Sequence, residues 1–194
     1  MAITRRDVLK SLTMGALAGS VLQVIPAEAA EHAHKIIASE KAKTAAYKPK
    51  FFSDHQYKTL QMLCDAIIPK DERSGGALQA GAPEFIDLVT SENADYQLQL
   101  GGGILWLDSA CADRFAKAYL DCTPDQQKQI LDLIAYQRNV LADASLSQGS
   151  EFFRFLRNLT ADAYVTSEIG MKDLGYIGNT FLLDFPGCPP VPER

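Results

Sequence analysis

Residues 53–69 read SDHQYKTLQMLCDAIIP, and both ends of this stretch carry helix signals. Ser53 with Gln56 three residues on is a capping box, in which each side chain satisfies a backbone N–H that the first turn leaves without an acceptor. Tyr57, Leu60, Leu63, Cys64, Ile67 and Ile68 recur at the three- and four-residue spacing of one helical face. Pro69, which lacks an N–H, stops the run.

The same grammar extends toward the C-terminus. Ser74-Gly75-Gly76 and Gly81 mark a loop, and Pro83 suits the first turn of a helix carrying Phe85, Ile86 and Val89. From about Asp95 to Tyr119 a longer helical pattern passes through Leu98, Gly102, Leu105, Ser109, Ala112, Ala116 and Tyr119. Thr123-Pro124-Asp125-Gln126 is a second capping box, opening a helix with Ile130, Leu133, Ile134, Gln137 and Leu141 on one side. Ser145 to Ser150 reads as loop, and Phe152, Phe153, Leu156, Leu159 and Ala163 mark a last long helix. No segment alternates as a strand does. Residues 51–180 are therefore expected to form an all-α domain, an irregular bundle of about five helices.

The flanks differ. Residues 181–194, FLLDFPGCPPVPER, hold four prolines that forbid a helix and favour an extended strap, packed on its own bundle or on another protein. Residues 30–50 are rich in Ala, Lys and Glu and read as a linker or loose helix. Residues 1 to about 45 are accordingly expected to pack poorly. Before them, Arg5, Arg6 and Lys10 precede an apolar run from Leu12 to Ile25 diluted by Gly15, Gly19 and Ser20, and Ala27-Glu28-Ala29 offers a small-x-small cleavage site. The run is shorter than the roughly 20 residues a membrane span needs. Thr4 to Lys10, TRRDVLK, reads as a twin-arginine export signal occupying residues 1–29, with Arg5 and Arg6 as its recognition pair. A bacterial, periplasmic protein is expected; an uncleaved N-terminal anchor is the other reading.

Removing residues 1–29 takes away three of 19 Lys+Arg and two of 24 Asp+Glu, leaving a net charge of −6. That balance opposes a nucleic-acid partner, whose phosphates need neutralising. With 47% hydrophobic and 22% charged residues in 194, the chain is of globular, single-domain size.

Twin-arginine export serves proteins that fold before crossing, commonly around a cofactor, yet the sequence offers no cofactor site. Gly101-Gly102-Gly103 lacks the strand and the further residues of a phosphate loop and reads as a turn or a close helix contact. His32, His34 and His55 are too few and too scattered for a metal or a catalytic triad, and no G-x-S-x-G elbow occurs. Asp65, Asp71, Glu72 and Asp87 read as solvated caps. The four cysteines form no C-x-x-C. Cys111 and Cys122, if on one helix, would lie about 16 Å apart against the about 7 Å between Cα atoms that a disulfide tolerates. Those two are therefore not expected to pair unless the helix breaks. Cys64 reads as core, and Cys188, between Gly187 and Pro189, as the thiol for a disulfide, an intermolecular one being plausible since spacing shows no intrachain partner.

Two stretches carry a resemblance. LCDAIIPKDERSGGALQAGAPEFID (63–87) and RNLTADAYVTSEIGMKDLGYIGN (157–179) resemble the paired motifs of the gluconate 2-dehydrogenase subunit 3 family, and GNTFLLDFPGCPP (178–190) is similar to members that accompany sugar and glycoside 3-dehydrogenases. The resemblance implies a small accessory subunit without cofactor, catalytic residue or metal of its own. Its partner would be a large FAD-dependent dehydrogenase of the glucose-methanol-choline type, oxidising gluconate or a sugar or glycoside. A cytochrome c subunit carrying haem c can accept the electrons and hold the complex at the membrane. The twin-arginine machinery would then carry the folded flavoprotein as a passenger on this chain. Tyr164, Thr166, Tyr176, Asn179, Phe181 and Phe185 are the candidate partner contacts, the alternative being that these residues close the chain's own core. A free-standing periplasmic interaction module and an independent helical enzyme remain open as other classes.

Overall fold

The computed structural model describes residues 25–44 and 47–178. Within them every regular element is helical and there is no strand. The fold is all-α, as the spacing of apolar residues requires. The strap (181–194), the Arg5–Arg6 pair, Asn179, Phe181, Phe185 and Cys188 lie outside the described residues.

Helix α1 spans Ala27–Thr44 and corrects the expectation of a loosely packed N-terminal flank. Ile25, Ala29, Ala30, Ala33 and Ile37 are buried in the core. Alanines contribute little to an apolar-periodicity signal, yet their small side chains let two helices approach closely. The expected cleavage triplet, Ala27-Glu28-Ala29, lies in the first turn of this helix, and the Ile25 N–H donates to the Asp162 carboxylate at 3.4 Å. A cut after Ala29 would strip packed residues from the core, so this packing counts against cleavage there in the folded chain.

Helix α2 (Asp54–Ile67) has the capping box read from the sequence, with Ser53 Oγ accepting from the Gln56 N–H. The backbone then turns through a Gly-rich loop into α3 (Ala82–Ser91), entered from Gly81 at φ 76 with proline in the first turn. That left-handed backbone costs glycine little.

A single helical turn (Ala94–Tyr96) and a π-helical turn (Gln97–Gly101) lead into α4 (Gly102–Phe115). Here the inward face differs from the one read in the sequence. Leu100, Ile104, Leu107 and Cys111 are buried, whereas Leu98 and Leu105 stand 77% and 63% exposed. The segment holds two apolar registers and only one can face the core; the richer one does. Gly103 makes the approach possible, since a Cβ there would meet the Phe152 ring at 2.0 Å. Close helix contact, rather than phosphate binding, accounts for this glycine.

The expected helix to Tyr119 stops at Phe115, where Ala116 adopts φ 55, and a 3-10 turn follows at Tyr119–Asp121. Helix α5 (Pro124–Ala135) keeps its predicted capping box, then breaks at Tyr136 before the short α6 (Gln137–Ala142). The supposed loop at 145–150 is instead a 3-10 turn running into α7 (Ser147–Val165), and α8 (Glu168–Asp173) closes the described chain. Helix α7 is the central strut: α2, α3, α4, α5 and α8 all pack on it. Its Phe152, Phe155, Leu156 and Leu159 are buried, each worth about 1.5–3 kcal/mol when fully removed from water.

Candidate partner-docking surface

The two signature stretches, 63–87 and 157–179, meet along a seam. The Cys64 thiol is fully buried beside the Thr160 hydroxyl at 3.7 Å. That burial pushes its pKa up to about 12, so it stays an inert thiol. One turn further along α7, Tyr164 Oη bonds to Ser74 Oγ at 3.0 Å and donates to Asp173 at 3.1 Å. Gly76 presses against backbone, with Lys70 N and Ile68 O within 2.6 Å of where a Cβ would sit. Gly170 lies as tightly on the Tyr164 carbonyl. At the loop's start, Asp71 accepts from the Arg73 and Ser74 N–H groups, both at 2.8 Å.

Asp87, at the end of the first signature, is not the solvated cap expected of it. Its side chain is fully buried and accepts four hydrogen bonds: from Tyr47 Oη at 2.8 Å, and from the N–H groups of Lys50 (2.7 Å), Phe51 (3.1 Å) and Phe52 (3.1 Å). One carboxylate thereby holds the whole approach to α2 against α3. Burial, reinforced by this bond, raises the Tyr47 phenol well above its ordinary range.

Of the residues singled out as partner contacts, Tyr164 is only 7% exposed and both its bonds are internal. Its side chain closes this chain's own core, the alternative the sequence left open. Thr166 donates to the Asp162 carbonyl at 2.6 Å and pairs with His34 at 3.0 Å. Tyr176 alone of the described candidates is on the surface, 56% exposed. It lines a groove of about 950 Å³ with Val165, Met171, Leu174 and Ile177, against the start of α1.

The second apolar surface is one the sequence reading missed. Leu98, Gly102 and Leu105 are spaced at four and three residues, and the two leucines project outward while nothing packs within 4 Å of the position a Gly102 Cβ would take. The signal was present as a surplus register: leucines that repeat at helical spacing yet lose the contest for the core must lie on the outside.

Among the described residues no three His, Cys, Asp or Glu side chains gather as a metal site would need, and no helix is long and apolar enough to cross a membrane. His55 Nε2 lies 2.7 Å from Asp108, whose other oxygen accepts the Tyr119 N–H at 3.0 Å, a tie between α2 and the turn after α4. His34, read as incidental, packs on the Phe85 ring at 5.0 Å.

The family model described as gluconate 2-dehydrogenase subunit 3 matches residues 54–187. Comparison with curated proteins and with solved structures finds no match.

Proposed function

The chain belongs to the gluconate 2-dehydrogenase subunit 3 family, and on that premise we propose that it is a non-catalytic subunit that exports and stabilises an FAD-dependent sugar, glycoside or gluconate dehydrogenase. An accessory subunit of a dehydrogenase complex is what the family's description names. The observation that carries the proposal is the match itself, which runs from α2 through α8 into the strap sequence.

In this account the large subunit folds around FAD in the cytoplasm and docks on this chain. The twin-arginine pair Arg5-Arg6 then takes both to the periplasm. A cytochrome c subunit would receive the electrons. Docking uses apolar surface that the bundle itself does not bury, Leu98 and Leu105 on α4 and the groove containing Tyr176, together with Asn179, Phe181 and Phe185 of the following sequence. Because the subunit binds only the native flavoprotein, it raises that partner's stability by mass action. Cys188 would join the two subunits by a disulfide once both reach an oxidising compartment.

Replacing Arg5 and Arg6 together by lysine preserves charge while removing the feature the export machinery reads. The FAD-loaded flavoprotein should then remain in the cytoplasm, and periplasmic dye-linked sugar oxidation should vanish. A flavoprotein that still reaches the periplasm beside this double variant overturns the passenger mechanism. Sugar oxidation by this chain alone would overturn the non-catalytic assignment.

A further inference from the structure

We propose that Cys111 and Cys122 are a disulfide-forming pair, whose bond staples the turn after α4 to the helix it has just left. Linear spacing along one helix would keep them apart, and it is the helix break that brings them together. Ala116 takes a left-handed conformation, φ 55, and ends α4 after Phe115. The returning 3-10 turn is then pinned twice. The Tyr119 N–H donates to Asp108 Oδ1 at 3.0 Å, one helical turn before Cys111, and the Tyr119 carbonyl accepts from Gln127 at 2.9 Å. Cys122 follows one 3-10 turn after Tyr119, its N–H bonded to the Tyr119 carbonyl at 3.2 Å. Both thiols lie in the core, and Cys122 is near enough to Cys111 to act on its ionisation. Joining them requires the sulfurs to close to the bonding distance of about 2 Å.

The third buried thiol supplies the contrast. Cys64 faces a threonine hydroxyl instead of a second thiol. Burial, with each thiol facing another ionisable thiol, pushes the Cys111 pKa upward, which suits a slowly formed structural bond rather than a fast redox centre.

The reaction needs a disulfide oxidant, RS–SR. Cys122 is the more accessible thiol, at 7% exposure against none for Cys111. Its thiolate attacks one sulfur of the oxidant, forming a mixed disulfide and releasing RS⁻. Cys111, deprotonated, attacks Cys122 Sγ and expels the second RS⁻. The two cysteine protons end on two RSH, so two thiols are oxidised and one disulfide is reduced. The bond closes a short loop and so restricts the unfolded chain, a restriction that reduction removes. This chemistry belongs to the chain itself and stands whether or not the export mechanism does.

The test uses the purified full-length chain equilibrated with glutathione disulfide, then alkylated in denaturant and digested with trypsin. Cleavage after Arg114 and Lys117 separates the two cysteines unless a disulfide joins them. The expected product links the peptide containing Cys111 to that containing Cys122, with Cys64 recovered alkylated. The oxidised chain should melt about 5–10 °C above its own reduced form. Cys122→Ser should abolish both the linked peptide and the redox dependence of melting. Should that variant fail to fold, the wild-type peptide map decides alone. Recovery of Cys111 and Cys122 both alkylated, or either joined to Cys188 or to glutathione instead, overturns the pairing, and equal melting of the two redox forms overturns the staple.

Discussion

Along the seam between α2, the loop at 74–81 and α7, polar atoms are buried and each finds a partner: Thr160 with Cys64, Tyr164 with Ser74 and Asp173, Asp87 with four donors. Among the described residues no buried side-chain nitrogen or oxygen lacks one. On the outer face of α4 the chemistry is inverted, with leucines held in water. Burying an unpaired polar group and exposing a large apolar one are both costly, and the fold avoids the first while accepting the second. The contrast separates two jobs. Most of the seam comes from the two signature stretches, as does the groove around Tyr176, whereas the exposed leucines of α4 lie outside both stretches.

The strongest attempt to break this division is Asp87→Ala. It leaves three backbone N–H groups and the Tyr47 hydroxyl without their acceptor, and should cost roughly 4 kcal/mol of unfolding free energy. That is a large part of the about 5–15 kcal/mol typical of a domain. Urea unfolding measures it. A loss below about 1 kcal/mol would mean that residues 47–52 detach freely and that the signature aspartate has some other role.

Next in size is a paired experiment on the two surfaces. Leu98→Glu with Leu105→Glu keeps good helix formers at exposed positions, so stability should move by no more than about 0.5 kcal/mol. Affinity for the large dehydrogenase subunit should fall at least about tenfold. Tyr164→Phe should do the reverse, losing about 1–2 kcal/mol of stability through its two hydrogen bonds while leaving affinity unchanged. Calorimetric titration and thermal melting of the same samples give both numbers. If Tyr164→Phe weakens binding and the leucine pair does not, the seam is the interface and the division is reversed.

What the sequence disclosed follows from how each element declares itself. The capping boxes at Ser53 and Thr123 are local and unambiguous, because they arise within four residues, and both helices start where they say. The face of α4 was read wrongly because two apolar registers coexist there, and only the tertiary contact of Gly103 with Phe152 chooses between them. Helix α1 was invisible because its buried stripe is mostly alanine, which in sequence resembles a linker. The Asp87 clasp could not be seen either: an aspartate near a glycine-rich loop looks like a cap until the donors 35 to 40 residues upstream arrive. Of the candidate docking surface, the aromatic Tyr176 was legible from the signature, whereas Leu98 and Leu105 were read only as part of a helical pattern.

The smallest effect asks on which side of the division α1 falls. His34, on that helix, is held between the Thr166 hydroxyl and the Phe85 ring, and burial lowers its pKa below the ordinary 6.5, with a weaker opposing bond to the Ala163 backbone. A histidine whose folded pKa is depressed is protonated first in the unfolded chain. Its contribution to stability is therefore complete above about pH 6.5 and is lost as the pH falls from there through the folded value. The Asp162 carboxyl, raised by burial above 3.8, works the other way: its penalty sets in as pH rises past 3.8, a window that opens on the acid side of the histidine's. Melting temperatures measured from about pH 8 to about pH 5 should consequently fall more steeply for the wild type than for His34→Gln, which removes the titrating ring. Parallel curves would show that α1 is not held against the bundle in solution, and the N-terminal flank would revert to the linker that its alanines suggest.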